Sequence, residues 1–501
     1  MLITLITAAA IAQEKKTAEQ VLPLVNQYCG SCHAVPPPDA LPKRGWPALV
    51  RTMVEINQAR TGRAGLSEQQ MKDITAFYYG SSPEELPKLP YDETLPANRA
   101  FALRELGALS ALPFITNVTA APLGKAGATS ILVSDGEAKE LRLLTREGKK
   151  WRETAVGAVE VPVHAQAVDM DADGDLDVLA ADLGQFPPLD SKLGKLLLMR
   201  QASTGKFTRE VLMEDLGRVS DARAVDLDAD GDLDIAVAVF GGGDVGEVFW
   251  LEQTGEGPVA GKYRKHELLK LPGAVNIEPA DLDGDGRMDL VTLIAQEHEM
   301  VLAFVNRGGG EFGSGTIARA PHPMYGSTSL TTADIDRDGD VDILFTNGDA
   351  FDAQTDPKPY HGVQWLENQG DFKFQYHAVG RFYGASTAAA GDLDGDGDID
   401  IVAGSWVSDW NDTGRHAVVW YENDGKQNFR AQGVTSRPAG VSSLKLMDVN
   451  GDGALDIVAG AIRMDLLLAK IGSSYRASRL FPAAEPGARL PRVIVLENPR
   501  R

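Results

Sequence analysis

The segment DLDGDGDIDIVAG, residues 392–404, alternates carboxylates with small or apolar residues and then runs into a β-branched string. Counted from Asp392, carboxylates fall at positions one, three, five, seven and nine, and a glycine at six. A loop of this kind wraps a hard cation. Alternate carboxylates turn inward, glycine permits the sharp bend, and a backbone carbonyl near position seven adds an oxygen. Calcium loops that lead into a helix end on a glutamate at position twelve. Here the chain continues as IVAG, which reads as a strand.

Five further segments share the pattern, and each supplies candidate ligands at positions one, three, five, seven and nine. DMDADGDLD offers Asp169, Asp171, Asp173, Asp175 and Asp177, and DLDADGDLD offers Asp226, Asp228, Asp230, Asp232 and Asp234. DLDGDGRMD offers Asp281, Asp283, Asp285, Arg287 and Asp289, and DIDRDGDVD offers Asp334, Asp336, Asp338, Asp340 and Asp342. The opening segment contributes Asp392, Asp394, Asp396, Asp398 and Asp400, and DVNGDGALD contributes Asp448, Asn450, Asp452, Ala454 and Asp456. Position seven acts through its carbonyl, so Arg287 and Ala454 qualify. Position twelve is Ala180, Val237 or Thr292 and never Glu. The alternative is a set of Asp-rich turns without metal, but five carboxylates in nine residues repel one another unless a cation lies between them. About six Ca2+ ions are expected.

The six loops begin 57, 55, 53, 58 and 56 residues apart, a period that points to propeller blades. After each loop and its strand comes a variable segment, then a strand such as VVWYEN, VQWLEN or VFWLEQ, then a polar strand. Four strands per unit make a blade. A cryptic unit, PLGKAGATSILVSDGEAKELRLL at 122–144, precedes the six; its ligand positions hold Pro122, Gly124, Ala126 and Ser130, so it should bind no calcium. Seven blades are therefore expected. The last apolar strand, RVIVLEN at 492–498, has no successor, and the stretch around LRELGALSALPFI, 103–115, can supply the missing outer strand. The loops and the strands after them resemble the FG-GAP/VCBS repeat family, as in integrin α-chain propellers, over residues 101–501. The resemblance implies a calcium-binding β-propeller with its loops on one face, and it implies little about activity.

The net charge of −22 excludes a nucleic-acid binder, which needs basic patches. Of 71 acidic residues, 27 are aspartates of the six loops; the other 44 face 49 Lys and Arg, so the acidity is local. Leu2–Ala12 is a short apolar run ending in AIA before Gln13, which reads as a signal peptide over 1–12, too short to span a bilayer. A buried helix is the other reading. No later segment looks transmembrane, and a periplasmic or secreted protein is expected.

Cys29 and Cys32, the two cysteines of the chain, stand in VNQYCGSCHAVPPP, residues 25–38. A redox dithiol would follow a strand, but Val21, Leu24, Val25 and Tyr28 approach at helical spacing. A zinc site would need two more close ligands. A disulfide would close a tiny loop and do little. The C-x-x-C-H reading remains: Cys29 and Cys32 form thioethers to one haem c and His33 is the proximal iron ligand. Two more helices follow, one with Trp46, Leu49, Val50 and Met53 on a face, the other with a capping box at Ser67 and Gln70 and apolar residues at Met71, Ile74, Phe77 and Tyr78. Residues 17–86 thus resemble a small class I-like cytochrome c domain, joined by a Pro-rich linker, 87–100. That family carries its distal Met just before the last helix, whereas QARTGRAG here has none. Met53 is the expected distal ligand; Met71 reads as core, and a pentacoordinate iron or a ligand from the second domain are the alternatives.

The whole chain is therefore expected to be multidomain, an all-α cytochrome c domain followed by an all-β propeller. On the face opposite the loops, the longest connections are NGDAFDAQTDPKPYHG, with Asp349, Asp352, Tyr360 and His361, and GSWVSDWNDTGRH, with Trp406, Asp409, Trp410 and His416. His164 and His298 read as lying in equivalent connections. Asp352, His361, Trp406, Asp409 and His416 are candidate catalytic residues if that rim takes a carbohydrate or other polyol; polar loops anchored by their Trp residues are the plain alternative. Electron transfer to a redox partner protein or small donor, with the propeller as docking or ligand-binding scaffold, is the expected function; a haem-linked dehydrogenase acting at the rim and an adhesion or binding protein are the alternatives, and adhesion alone leaves the haem unexplained.

Overall fold

The computed structural model describes residues 16–89 and 101–499, apart from 32, 63–64, 124–129, 187–190, 204, 242–244, 256–261, 351–356, 413, 471–479 and 483–486. The expected leader and most of the expected linker lie outside the described residues. The chain divides into two compact units, Met1–Leu86 and Pro87–Arg501.

The first unit is built of α1 (Ala18–Cys29), α2 (Trp46–Thr61) and α3 (Glu68–Ser81). A capping box opens α3 at Ser67 and Gln70, as its sequence requires, and a second opens α1 at Thr17 and Gln20. Val21 and Val25 of α1, Trp46 and Val50 of α2, and Ile74 and Tyr78 of α3 are buried. Trp46 stacks on Tyr78 with ring centroids 3.9 Å apart. Its Nε1–H donates to the Pro38 carbonyl at 3.1 Å, so the buried indole keeps a partner. The helical spacing puts Met53 on the same apolar face as Trp46 and Val50. That placement is corrected: the buried stripe of α2 stops at Val50, and Met53 and Ile56 are both 38 % exposed.

The second unit consists of seven four-stranded antiparallel sheets. Blade 6 shows the plan, with strands a to d from the inside out: Ala385–Gly391, Asp400–Ser405, Val418–Asn423 and Phe429–Thr435. The a strands of neighbouring blades touch all round the ring. Every b strand is six residues long and buried throughout. Neighbouring blades cover both of its faces, which is why IVAG and its counterparts show no polar alternation. Leu179, Leu196 and Leu198 of blade 2, for example, pack against Ile235, Val237 and Phe249 of blade 3.

Blade 7 closes the ring. Its first three strands are Val441–Met447, Asp456–Ala461 and Val493–Glu497, and its outer strand is Ala102–Leu106, paired antiparallel from Ala102 with Glu497 to Leu106 with Val493. The expected donor of the outer strand is thus the one used. A closed ring leaves only short, protected edges. Blade 1, the cryptic unit, begins with Ile115–Ala120 and Ser130–Asp135; the turn between them lies outside the described residues. Among the described residues no helix is long and apolar enough to cross a membrane.

Leu106 is 4 % exposed and packs with Ile115, Val118, Val493 and Val495 across the seam. Leu106→Ala is expected to cost about 3 kcal/mol, read as a lower urea midpoint. An unchanged midpoint would show that the ring is not fastened there.

Candidate functional site

The six aspartate loops connect strand a to strand b, so all lie on one face of the propeller. The glycine at position six takes a left-handed φ in every loop: Gly174 (90°), Gly231 (96°), Gly286 (86°), Gly339 (98°), Gly397 (102°) and Gly453 (85°). Any side chain there would be strained. The same glycine donates its N–H to the position-one carboxylate at 2.8–3.2 Å in all six. This turn draws carboxylates together. Ligand oxygens lie within 4.8 Å of one another at Asp169, Asp171 and Asp173, at Asp226, Asp228 and Asp230, and at Asp281, Asp283 and Asp285. In the next two loops the convergent sets are Asp334, Asp336 and Asp342, and Asp392, Asp394 and Asp400. The sixth loop keeps the turn with an amide at position three, where Asn450 Oδ1 accepts from Asp452 N–H at 2.9 Å. Clusters of hard oxygens on a backbone bent by glycine fit Ca2+.

Position nine does more than its place in the motif foretells. Asp400 Oδ1 accepts from Asn423 N–H at 2.8 Å and Oδ2 from Leu393 N–H at 3.1 Å. The same pair of bonds recurs at Asp234, Asp289, Asp342 and Asp456. One buried carboxylate thereby ties the start of the loop to the end of strand c. Burial pushes these carboxyls up against the pull of the N–H donors, to about 6 at Asp177, Asp289, Asp342 and Asp456 and about 7 at Asp234 and Asp400. A cation in the loop favours their ionised form.

The asparagine ending strand c is a second part that pattern reading missed. Asn306, Asn368 and Asn498 each donate through Nδ2 to the position-eight carbonyl of their own loop. Each also donates to the position-two carbonyl of the preceding blade, at Leu227 (2.8 Å), Leu282 (2.9 Å) and Leu393 (2.6 Å). The signal was present as the repeated final Asn of AFVN, WLEN, WYEN and VLEN. Asp400→Asn puts an amide NH2 against one of two main-chain donors and should cost about 2 kcal/mol. Elemental analysis should find one calcium fewer. A chelator should lower the melting temperature of the wild-type propeller more than that of the variant; equal shifts would separate the staple from the metal.

The opposite face carries the b–c and d–a connections. His361 is fully buried, and its Nδ1 accepts from Gly384 N–H at 3.2 Å. Burial, reinforced by the Lys358 charge, holds its pKa well below the usual histidine range. It is therefore no surface proton acceptor. Trp406 is half-buried; its backbone N–H donates to the Gly384 carbonyl at 3.1 Å and its Nε1–H to the Gly348 carbonyl at 3.0 Å. Gly384 thus joins His361 of blade 5 to Trp406 of blade 6. Asp409 and His416 are half-buried, Trp410 is buried, and Asp352 lies outside the described residues. His298 occupies a short b–c turn, but His164 does not belong to this rim. It sits on strand a of blade 2, with Nδ1 3.0 Å from Asp221 Oδ1. Asp221 also pairs with Arg223 at 3.1 Å, and Arg223 with Glu278 at 2.6 Å. Against complete desolvation, Arg223 and His164 hold the Asp221 carboxyl far below its ordinary value. Pattern reading missed this network because inner-strand positions of different blades meet only in the closed ring.

In the helical unit α1 delivers Cys29 at its last residue. Burial raises the pKa of its thiol, against a hydrogen bond with Tyr78. Cys32 lies outside the described residues. His33 is half-buried, with Nδ1 2.8 Å from the Ala34 carbonyl. Met53 is exposed on α2, while Met71 is half-buried beside a cavity of about 390 Å3 with Pro47, Arg51, Thr75 and Tyr79.

The model of the FG-GAP-like repeat matches residues 169–237, 226–292 and 281–345. Among curated proteins, integrin alpha pat-2 of Caenorhabditis briggsae is 29 % identical over 209 residues, covering 36 % of this chain and 17 % of that protein. Its counterpart in Caenorhabditis elegans is 28 % identical over the same length and shares. The chain spans about 17 % of the length of these relatives. A solved structure, Saccharomyces cerevisiae Sqt1, superposes with a TM-score of 0.45 at 11 % identity, covering 81 % of this chain and all of that one. The second unit is a seven-bladed β-propeller carrying FG-GAP-like repeats, similar over part of its length to integrin alpha chains.

Proposed function

We propose that this is an exported electron-transfer protein, in which a helical domain over residues 17–86 carries one covalent haem c and the calcium-stabilised propeller is the binding scaffold that presents it to partners. The observation that carries the reading is Cys29-Gly-Ser-Cys32-His33 at the end of a helix. His33 supports it, because a ring whose Nδ1–H is given to the Ala34 carbonyl presents Nε2 for ligation. The donor set fits a haem: two thiols for thioether bonds, an imidazole of set tautomer, and in Met53 a thioether that the core does not consume.

A haem held there supplies a one-electron couple. The chain's own residues do the rest. Cys29 and Cys32 would anchor the group, and His33 and Met53 would be its iron ligands. The Trp46–Tyr78 stack excludes water from the interior between α2 and α3. The partner is a redox protein or a small donor. The leader at 1–12 and the need for attachment outside the cytoplasm both support export. Similarity to integrin alpha chains favours a second reading, a binding or adhesion scaffold without redox function.

Protein from a haem-maturing host should gain one haem mass that survives denaturant, and Cys29→Ala with Cys32→Ala should lose it while keeping calcium. A haem-free mass from that host would leave the adhesion reading. With haem present, Met53→Ala should abolish the thioether-to-iron charge-transfer band and Met71→Ala should keep it; the reverse would reassign the distal ligand.

A further inference from the structure

A cavity of about 380 Å3 opens between blades 4 and 5 on the face opposite the calcium loops. Its size lies within the range of small-molecule sites. The wall is mainly apolar, with Leu293, Val301 and Phe345 at its back. Tyr325 and Tyr360 lie parallel, within 7° and with centroids 6.1 Å apart, and Tyr376, 52 % exposed, forms an outer edge. Two guanidinium groups line the same space. Arg319 and Arg381 end the d strands of blades 4 and 5, and both are exposed. Arg381 donates to the Tyr360 carbonyl at 2.9 Å, which holds it against the cavity. Among the described residues neither arginine has a carboxylate within ion-pair distance.

We propose that this cavity binds a small aromatic carboxylate, its ring against the tyrosines and its carboxylate between Arg319 and Arg381. An aromatic body suits the walls better than a polyol does, because the walls are mainly apolar and the Tyr360 hydroxyl is already committed, donating to the Met324 carbonyl at 2.9 Å. The one acidic wall residue, Glu299, is buried and gives both oxygens to the N–H groups of Gly326 (3.1 Å) and Ser327 (3.0 Å). It acts as a brace of the connection between the blades. A planar anion is also what paired arginines recognise best. The site belongs to the propeller alone and does not depend on the haem reading.

The test is calorimetric titration of the full chain in calcium with phenylacetate and indole-3-acetate. Acetate, 2-phenylethanol and glucuronate serve as charge-only, ring-only and acidic-polyol controls. An aromatic acid should saturate one site with a Kd of about 10–1,000 µM, and the controls should bind at least about tenfold more weakly. Arg319→Met and Arg381→Met should each weaken binding about tenfold, and Tyr376→Ala should weaken it too. All three positions are exposed, so calcium content and melting temperature should hold. The proposal is overturned if neither aromatic acid binds, if 2-phenylethanol or glucuronate binds as well, or if the double arginine variant binds like wild type. The haem mass of the same preparation reads the other proposal separately.

Discussion

One buried carboxylate in each of blades 3 to 7 holds this propeller together. The position-nine aspartate spends its oxygens on main-chain donors at the start of its loop and at the end of strand c. Taking a carboxylate out of water is costly unless hydrogen bonds and a cation compensate. The hydrogen bonds are in place, and the oxygens converging beside them give the cation its seat. Loop geometry, strand pairing and metal affinity are therefore linked: whatever loosens the loop frees strand c, and whatever fills the loop tightens both.

The asparagine at the end of strand c extends this coupling between blades. Through Asn306, Asn368 and Asn498, a loop in one blade is tied to strand c of the next. The b strands fill the space between blades with apolar side chains, and Ala102–Leu106 closes the circle against Val493–Glu497. Each blade depends on two neighbours, so cooperativity runs around the ring. The face opposite the metal loops is left to vary, and its connections range from the short turn at His298 to the long segment carrying α4 (Met464–Lys470).

Division of labour between the two units follows from their chemistry. The helical unit has the sequence Cys29-Gly-Ser-Cys32-His33 and a compact aromatic core. The propeller has regular four-stranded sheets, one face of converging aspartates and a cavity on the opposite face. A scaffold of this kind supports many functions, so the redox reading rests on five residues of the helical unit and the ligand reading on the cleft between two blades.

Much of the architecture was legible in the sequence alone. Carboxylates at alternate positions with glycine at six can form only one kind of turn, and a repeat near 56 residues leaves room for four strands; from these came the blade number and the strand that closes the ring. Helix faces and the Ser67 cap were equally local. Tertiary structure decided what local pattern cannot express. His361 reads as a polar rim residue, yet it is buried under Gly384, because burial depends on what other connections cover it. His164 reads like a loop residue but pairs with Asp221 57 residues away, across two inner strands. Met53 reads as lying on the apolar face of its helix and is exposed. The cleft of Tyr325, Tyr360 and Tyr376 draws on three separate segments and has no signature at all. Period and turn chemistry act between near neighbours in the chain, whereas burial, ion pairing and cavities are set by contacts between blades.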